Sequence, residues 1–287
     1  MRSNLIKAIV GGVFAVSAIC AHAEGKNGCG SLPNNAQLKA ALIQAVADET
    51  SGLDLQMWGT IVDRDGVVCA VAFSGANRGS QWPGSRVISA QKANTANAFS
   101  LDGLALSTAN LYSASQGTSA ATPLGGSLFG LQFSNPVDPE AAYGGNAADA
   151  GTRNDGMVGK RVGGVNVFGG GLALYNSNER VVGGVGVSGD TSCADHNIGW
   201  RVRNYLKLDN LAHVGGVSGD ATRPDNIIFD VLNGDKNGVT DGFEQVGCSK
   251  PSVTPFLSPF SASKIMLSGR VASPDIPPTF ARLSNFK

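Results

Sequence analysis

Histidine is scarce, at three in 287 residues, and only His196 and His213 lie beyond the first few dozen positions. A Ser-His-Asp triad or a multi-histidine metal centre has little to draw on, so hydrolytic chemistry is disfavoured. His196, Trp200, Arg203 and Lys207 are spaced four, three and four residues apart, which puts them near one face of a helix, opposite its apolar stripe. A flat aromatic ligand with anionic arms would find an iron ligand, a stacking surface and cations there. The same four residues also read as a solvated polar face with one covering tryptophan.

Two further patterns could carry chemistry. Asn233, Asp235, Asn237, Gly238, Asp241 and Glu244 fit the spacing of a calcium loop, with Asp241 at the position that often acts through water. Asn at the first position, Thr240 at the eighth and the lack of a convincing flanking helix all depart from that loop. Gly184-Val185-Gly186-Val187-Ser188-Gly189, with Asp209 some 20 residues beyond, fits the dinucleotide fingerprint G-x-G-x-x-G. The strand before it reads as half of an antiparallel hairpin, and no parallel strand follows. The glycines are therefore read as a tight strand-to-helix turn and as close packing positions.

These residues must be held by elements that the periodicity predicts. Asn34 or Asn35 caps a helix running to about Ser51, with Leu38, Ala41, Leu42, Ala45 and Val46 on one face. Met57 to Val62 and Val67 to Phe73 form a hairpin about Asp63-Arg64-Asp65-Gly66. Arg86 to Phe99 is helical, with small packing residues and Lys92 among them. Val162 to Phe168, Gly171 to Tyr175 and Arg180 to Ser188 are strand material. Ser192 caps a last helix to about Lys207, with Asp195 three residues on. Ile227 to Leu232 is a further short strand candidate. Helices following hairpins describe an α+β fold rather than a βαβ alternation. From Ser100 to Lys160 charge is sparse and no period holds, the pattern of a long functional loop. The tail from Lys250 holds six of the twelve prolines and reads as an extended C-terminal extension.

Arg2 and Lys7, the apolar run Ala8 to Ile19 and Ala21-His22-Ala23 read as a signal peptide of residues 1–23, with the exported chain starting at Glu24. Lipoprotein processing at Cys20 ranks second, because Ile19 stands where a small residue belongs. The apolar run is too short to span a bilayer. Cleavage leaves Cys29, Cys69, Cys193 and Cys248 in a periplasmic or secreted setting, where two disulfides can form. Three pairings are open, and Cys29 with Cys69 and Cys193 with Cys248 keep each bridge within one half of the chain. No C-x-x-C pair exists, which removes the signatures of redox catalysis, structural zinc and covalent c-type haem. Charged residues make up 15% of the chain at zero formal net charge, so nothing marks it for nucleic acid or an anionic membrane. Glycine, at 39 residues, points to tight turns and close backbone approaches.

From about Leu32 to Cys248 the chain resembles the GlcG/HbpS family of haem-binding proteins, to which the C-terminal domain of PduO-type proteins is similar. The resemblance rests on the hairpin centred on Val62-Asp63-Arg64-Asp65-Gly66, on Ala90-Gln91-Lys92-Ala93-Asn94-Thr95-Ala96, and on Gly183 to Asp190 followed by Ala194-Asp195-His196. It implies a five-stranded antiparallel sheet with helices on both sides and an oligomeric assembly. It also implies haem binding. With the residues above, the expectation is an exported protein that scavenges, stores or senses haem in a pocket between the Lys92 and His196 helices, where Arg86, Lys92 and Arg203 meet propionates and Trp200 stacks on the ring. The family shares no single iron ligand, and haem chemistry points to His196 first and His213 second. A family member linked to glycolate utilisation leaves open an enzyme or accessory protein acting on a small oxygenated metabolite. The residues at 233–244 leave open a calcium-stabilised structural module.

Overall fold

The computed structural model describes residues 28–116 and 126–228. Its first helix, α1 (Asn35–Ala47), is entered through Asn34, whose side chain accepts from Gln37 N while the Gln37 side chain accepts from Asn34 N. That reciprocal cap satisfies two donors that a helix start otherwise leaves unpaired. Leu38, Ala41, Leu42 and Ala45 are the buried face. The hairpin follows as β1 (Trp58–Asp63) and β2 (Val68–Phe73). Gly66 takes the left-handed conformation the turn needs (φ 77°), and the Asp63 carboxylate accepts from Asp65 N and Val67 N.

Helix α2 (Ser85–Phe99) comes next. After it, the stretch expected to be a loop contains β3 (Leu104–Ala105), α3 (Tyr112–Ser115) and α4 (Pro139–Tyr143). The sheet is completed by β4 (Gly171–Tyr175) and β5 (Val181–Ser188), and α5 (Ser192–Tyr205) closes the core. β6 (Gly215–Gly216) pairs with β3 as a small parallel ladder. Strand order in the main sheet is β2-β1-β5-β4, with every pairing antiparallel.

The main sheet therefore has four strands where five were expected. The missing one is Val162 to Phe168, which makes only an isolated bridge between Val137 and Gly163. Gly163 and Gly164 both lie at positive φ (67° and 79°), and two such residues in succession interrupt a ladder. Around α5, Thr191 rather than Ser192 supplies the cap. The Ser192 hydroxyl accepts from Gly169 N, and Asp195 turns back to accept from Gly189 N and Asp190 N.

Helices cover both faces of the sheet. On one side α1 and α5 pack Leu38, Leu42, Ile198 and Val202 against Ile61, Leu172, Leu174, Val185 and Val187. On the other, Val87, Ala90 and Ala93 of α2 meet Trp58, Val62 and Val71, together with Ala141, Ala142 and Met157. The glycines of β5 are what let α2 approach. A Cβ on Gly184 would stand 2.3 Å from Ala93 O, and one on Gly186 2.0 Å from Ser89 O. This packing, in an antiparallel strand, is how the G-x-G-x-x-G run is used.

Cys29 and Cys69 form a disulfide that ties the segment before α1 to β2. Cys193 is also disulfide-bonded. Cys248, the partner expected for it, lies outside the described residues. So do residues 1–23, the 233–244 loop, the end of the 227–232 strand candidate and the tail from Lys250. Residues 227 and 228 form no strand, and Ile227 packs with Ala109 and Cys193.

Candidate functional site

The Lys92 and His196 helices meet through buried charges. Glycines at 170 and 171 leave room for Lys92, whose Nζ donates to Asp195 Oδ2 at 2.6 Å and to Val187 O at 3.1 Å. Nζ also stands 4.8 Å over the Phe168 ring. Neither side chain of this pair reaches solvent. Burial pushes the Lys92 ammonium down and the Asp195 carboxyl up to about 6, while each partner's charge opposes the shift of the other.

His196 follows directly and is fully buried, with no hydrogen-bond partner for either ring nitrogen among the described residues. Burial holds its pKa down at about 4, so the ring is neutral near pH 7. Gly169 packs on it so tightly that a Cβ there would lie 2.9 Å from His196 Cβ. Arg203 is equally enclosed. Its guanidinium donates to Asp225 at 2.5 and 3.0 Å and to Ala173 O at 3.1 Å. Burial opposes its charge, but the Asp225 carboxylate outweighs this and raises the pKa.

Trp200 is buried in the α1–α5 core, so the expected polar face of α5 is an interior surface. Lys207 lies beyond the helix end, at positive φ. His213 is the accessible imidazole. Its side chain is 85% exposed, and Nδ1 lies 3.1 Å from Glu179.

Of the expected cations, Arg86 reaches a cavity. It lies in the first turn of α2 and donates through Nε and Nη2 to the two Asp155 oxygens and through Nη1 to Ala142 O. The cleft beside it has a volume of about 380 Å³, in the range that holds small organic ligands. Trp58 of β1, Arg78 and Pro83 ahead of α2, and Tyr143 and Asn146 at and beyond the end of α4 complete its main walls. Arg78 donates to Ala147 O, and among the described residues no carboxylate pairs with it. Trp58 is 2% exposed, and its Nε1 has no acceptor among the described residues. Two aromatic side chains and two guanidinium groups suit a flat ring bearing carboxylates.

The site thus combines Arg86, which the sequence marked, with Trp58, Arg78 and Tyr143, which it did not. Trp58 reads as an ordinary strand residue, and Tyr143 sits in the stretch without a period. The signal linking them is the Arg86–Asp155 pair, 69 positions apart, and no local pattern reveals it. The calcium expectation falls on residues outside the described ones. Among the described residues, Cys29, Asp63 and Cys69 come close enough to surround a cation, but both sulfurs are used in the disulfide. No helix of the described residues is long and apolar enough to cross a membrane.

Comparison with known proteins adds the family. Among solved structures, protein ORFY of Klebsiella pneumoniae is 23% identical, over 60% of this chain and 86% of that one, with a TM-score of 0.38. A PduOC:haem complex is 22% identical, over 59% of this chain and 89% of that one, also with a TM-score of 0.38. No curated protein gives a significant match. Residues 35–201, more than half of the chain and everything from α1 well into α5, match the haem degrading proteins described as HbpS-like, and the chain belongs to that family.

Proposed function

We propose that this protein is exported and binds haem, in order to scavenge, store or sense it, and that the ring enters the cleft at the start of α2. Beyond family membership, the observation that supports this is a cavity that sets the guanidinium groups of Arg78 and Arg86 beside Trp58 and Tyr143. Arg78 is the group free to meet a propionate, and Arg86 has guanidinium N–H groups to spare beyond its three bonds. Pro83, Ala147 and Ala150 supply apolar surface for the ring. Lys92 and Arg203 do not fit a propionate, because each is fully buried and committed to a carboxylate. When bound, haem would supply a redox-active iron centre; the residues of this chain hold it and exclude water from one edge.

Titrating haemin into the protein while following the Soret band tests this reading. Saturation near one equivalent is expected. Arg78→Ala should weaken binding by about ten- to a hundredfold, the loss of one charge-assisted contact. Weak, unsaturable binding that Arg78→Ala leaves unchanged would sink it. The family description also names haem degradation, so the same titration with a reductant and air should be watched for bleaching of the Soret band.

A further inference from the structure

We infer that Tyr143 is the side chain of this protein that ligates the haem iron; the inference rests on the haem reading above. Protein ligands to haem iron are the side chains of His, Cys, Met and Tyr. Among the residues lining the cleft, Tyr143 alone is of these types. It is 72% exposed, and its hydroxyl takes part in no hydrogen bond among the described residues, so it is open to a ligand on the face that borders the cavity.

Its position is also fixed from behind. Asp138 caps α4 through Glu140 N and Ala141 N, Pro139 opens the helix, and Ala141 and Ala142 are buried against the α2 face of the sheet. Arg86 then holds the carbonyl of Ala142, the residue directly before Tyr143, at 2.9 Å. The group that forms the deep wall of the cleft, with a side chain 13% exposed, therefore also anchors the backbone that carries the rim tyrosine. A ligand side chain whose backbone is capped on one side and hydrogen-bonded on the other needs less ordering on binding.

Among the described residues, the other histidines, methionines and cysteines do not line the cleft. His196 has no exposed surface and is packed against Gly169. His213 is bonded to Glu179 and does not line the cleft. Met57 and Met157 are buried in the two cores, and Cys29 and Cys69 are bonded to each other.

The test is ferric haemin binding by the full protein and by Tyr143→Phe, His213→Ala and His196→Leu, read by visible absorption and by resonance Raman scattering. The parent is expected to show an iron–phenolate charge-transfer band with the matching phenolate vibrations. Tyr143→Phe should lose both and bind at least about tenfold more weakly, with an unchanged circular dichroism spectrum because the ring is largely exposed. The two histidine variants should keep the parent spectrum. If Tyr143→Phe behaves like the parent and one histidine variant changes the spectrum, the ligand assignment is overturned while haem binding stands. If the parent itself binds no haemin saturably, both this inference and the haem reading fall.

Discussion

Lys92, Asp195 and His196 set the pH response of the interior. Replacing Lys92 with Met would leave the Asp195 carboxylate buried beside two backbone N–H donors but without its cation. The expected cost is about 3–5 kcal/mol, measured by urea unfolding at pH 7, and part of it should return in Lys92→Met combined with Asp195→Asn. His196 acts through protonation. Its folded value, about 4, lies below the ordinary 6.5, so the unfolded chain binds the extra proton first. Stability is then lost as pH falls from 6.5 to 4, by up to about 3 kcal/mol. Asp195, raised to about 6, works in the opposite sense between 6 and 3.8, because there the folded state holds more protons. His196→Leu should therefore cost about 1 kcal/mol or less at pH 7, since it removes two unpaired polar atoms. It should also lose less stability than the parent on acidification to pH 4.5. An unchanged acid limb would show that His196 does not titrate as its burial demands.

At the scale of elements, the decisive contact is α2 on β5. Adding a methyl at Gly186 would force Ser89 O away from a position only 2.0 Å distant, whereas a methyl at Gly84, ahead of α2, would meet nothing within 4 Å. Gly186→Ala should cost about 1–3 kcal/mol or more, and Gly84→Ala should lie within about 0.5 kcal/mol of the parent, both by urea midpoint. The elements that depend on local pattern were legible. The capped α1, the Asp63–Gly66 hairpin and β4 and β5 follow from spacing and turn residues within a few positions. The stretch at 162–168 was misread because β-favouring side chains surround Gly163 and Gly164, whose positive φ only the folded chain displays. The cleft was half legible. Arg86 stood out as a cation on a helix, but Asp155, Tyr143 and Trp58 come to it from distant segments that have no shared period.

At the scale of the molecule, the 138–160 segment is a built part of the fold, since Ala141, Ala142 and Met157 complete the core beneath α2 and Asp155 accepts from Gly151 N, Met157 N and Arg86. Another whole-molecule tie is the Cys29–Cys69 bridge, whose ends are 40 positions apart. Replacing Cys29 and Cys69 with serine should lower stability by about 2–4 kcal/mol, and a reducing agent, which also opens the Cys193 bridge, should lower that of the parent at least as much, both measured by thermal unfolding.

The order of strands carries a consequence for how the chain reaches this state. β1–β2 and β4–β5 are each closed by a short turn, whereas β1 and β5 pair Trp58 with Ser188 and Asp63 with Gly183, more than a hundred residues apart. The two hairpins can zip locally within microseconds, but the seam between them must close a very long loop first. Joining them is then the slow step of folding, and pulse-labelled hydrogen exchange should protect the β1–β2 and β4–β5 amides ahead of those that face each other across the seam.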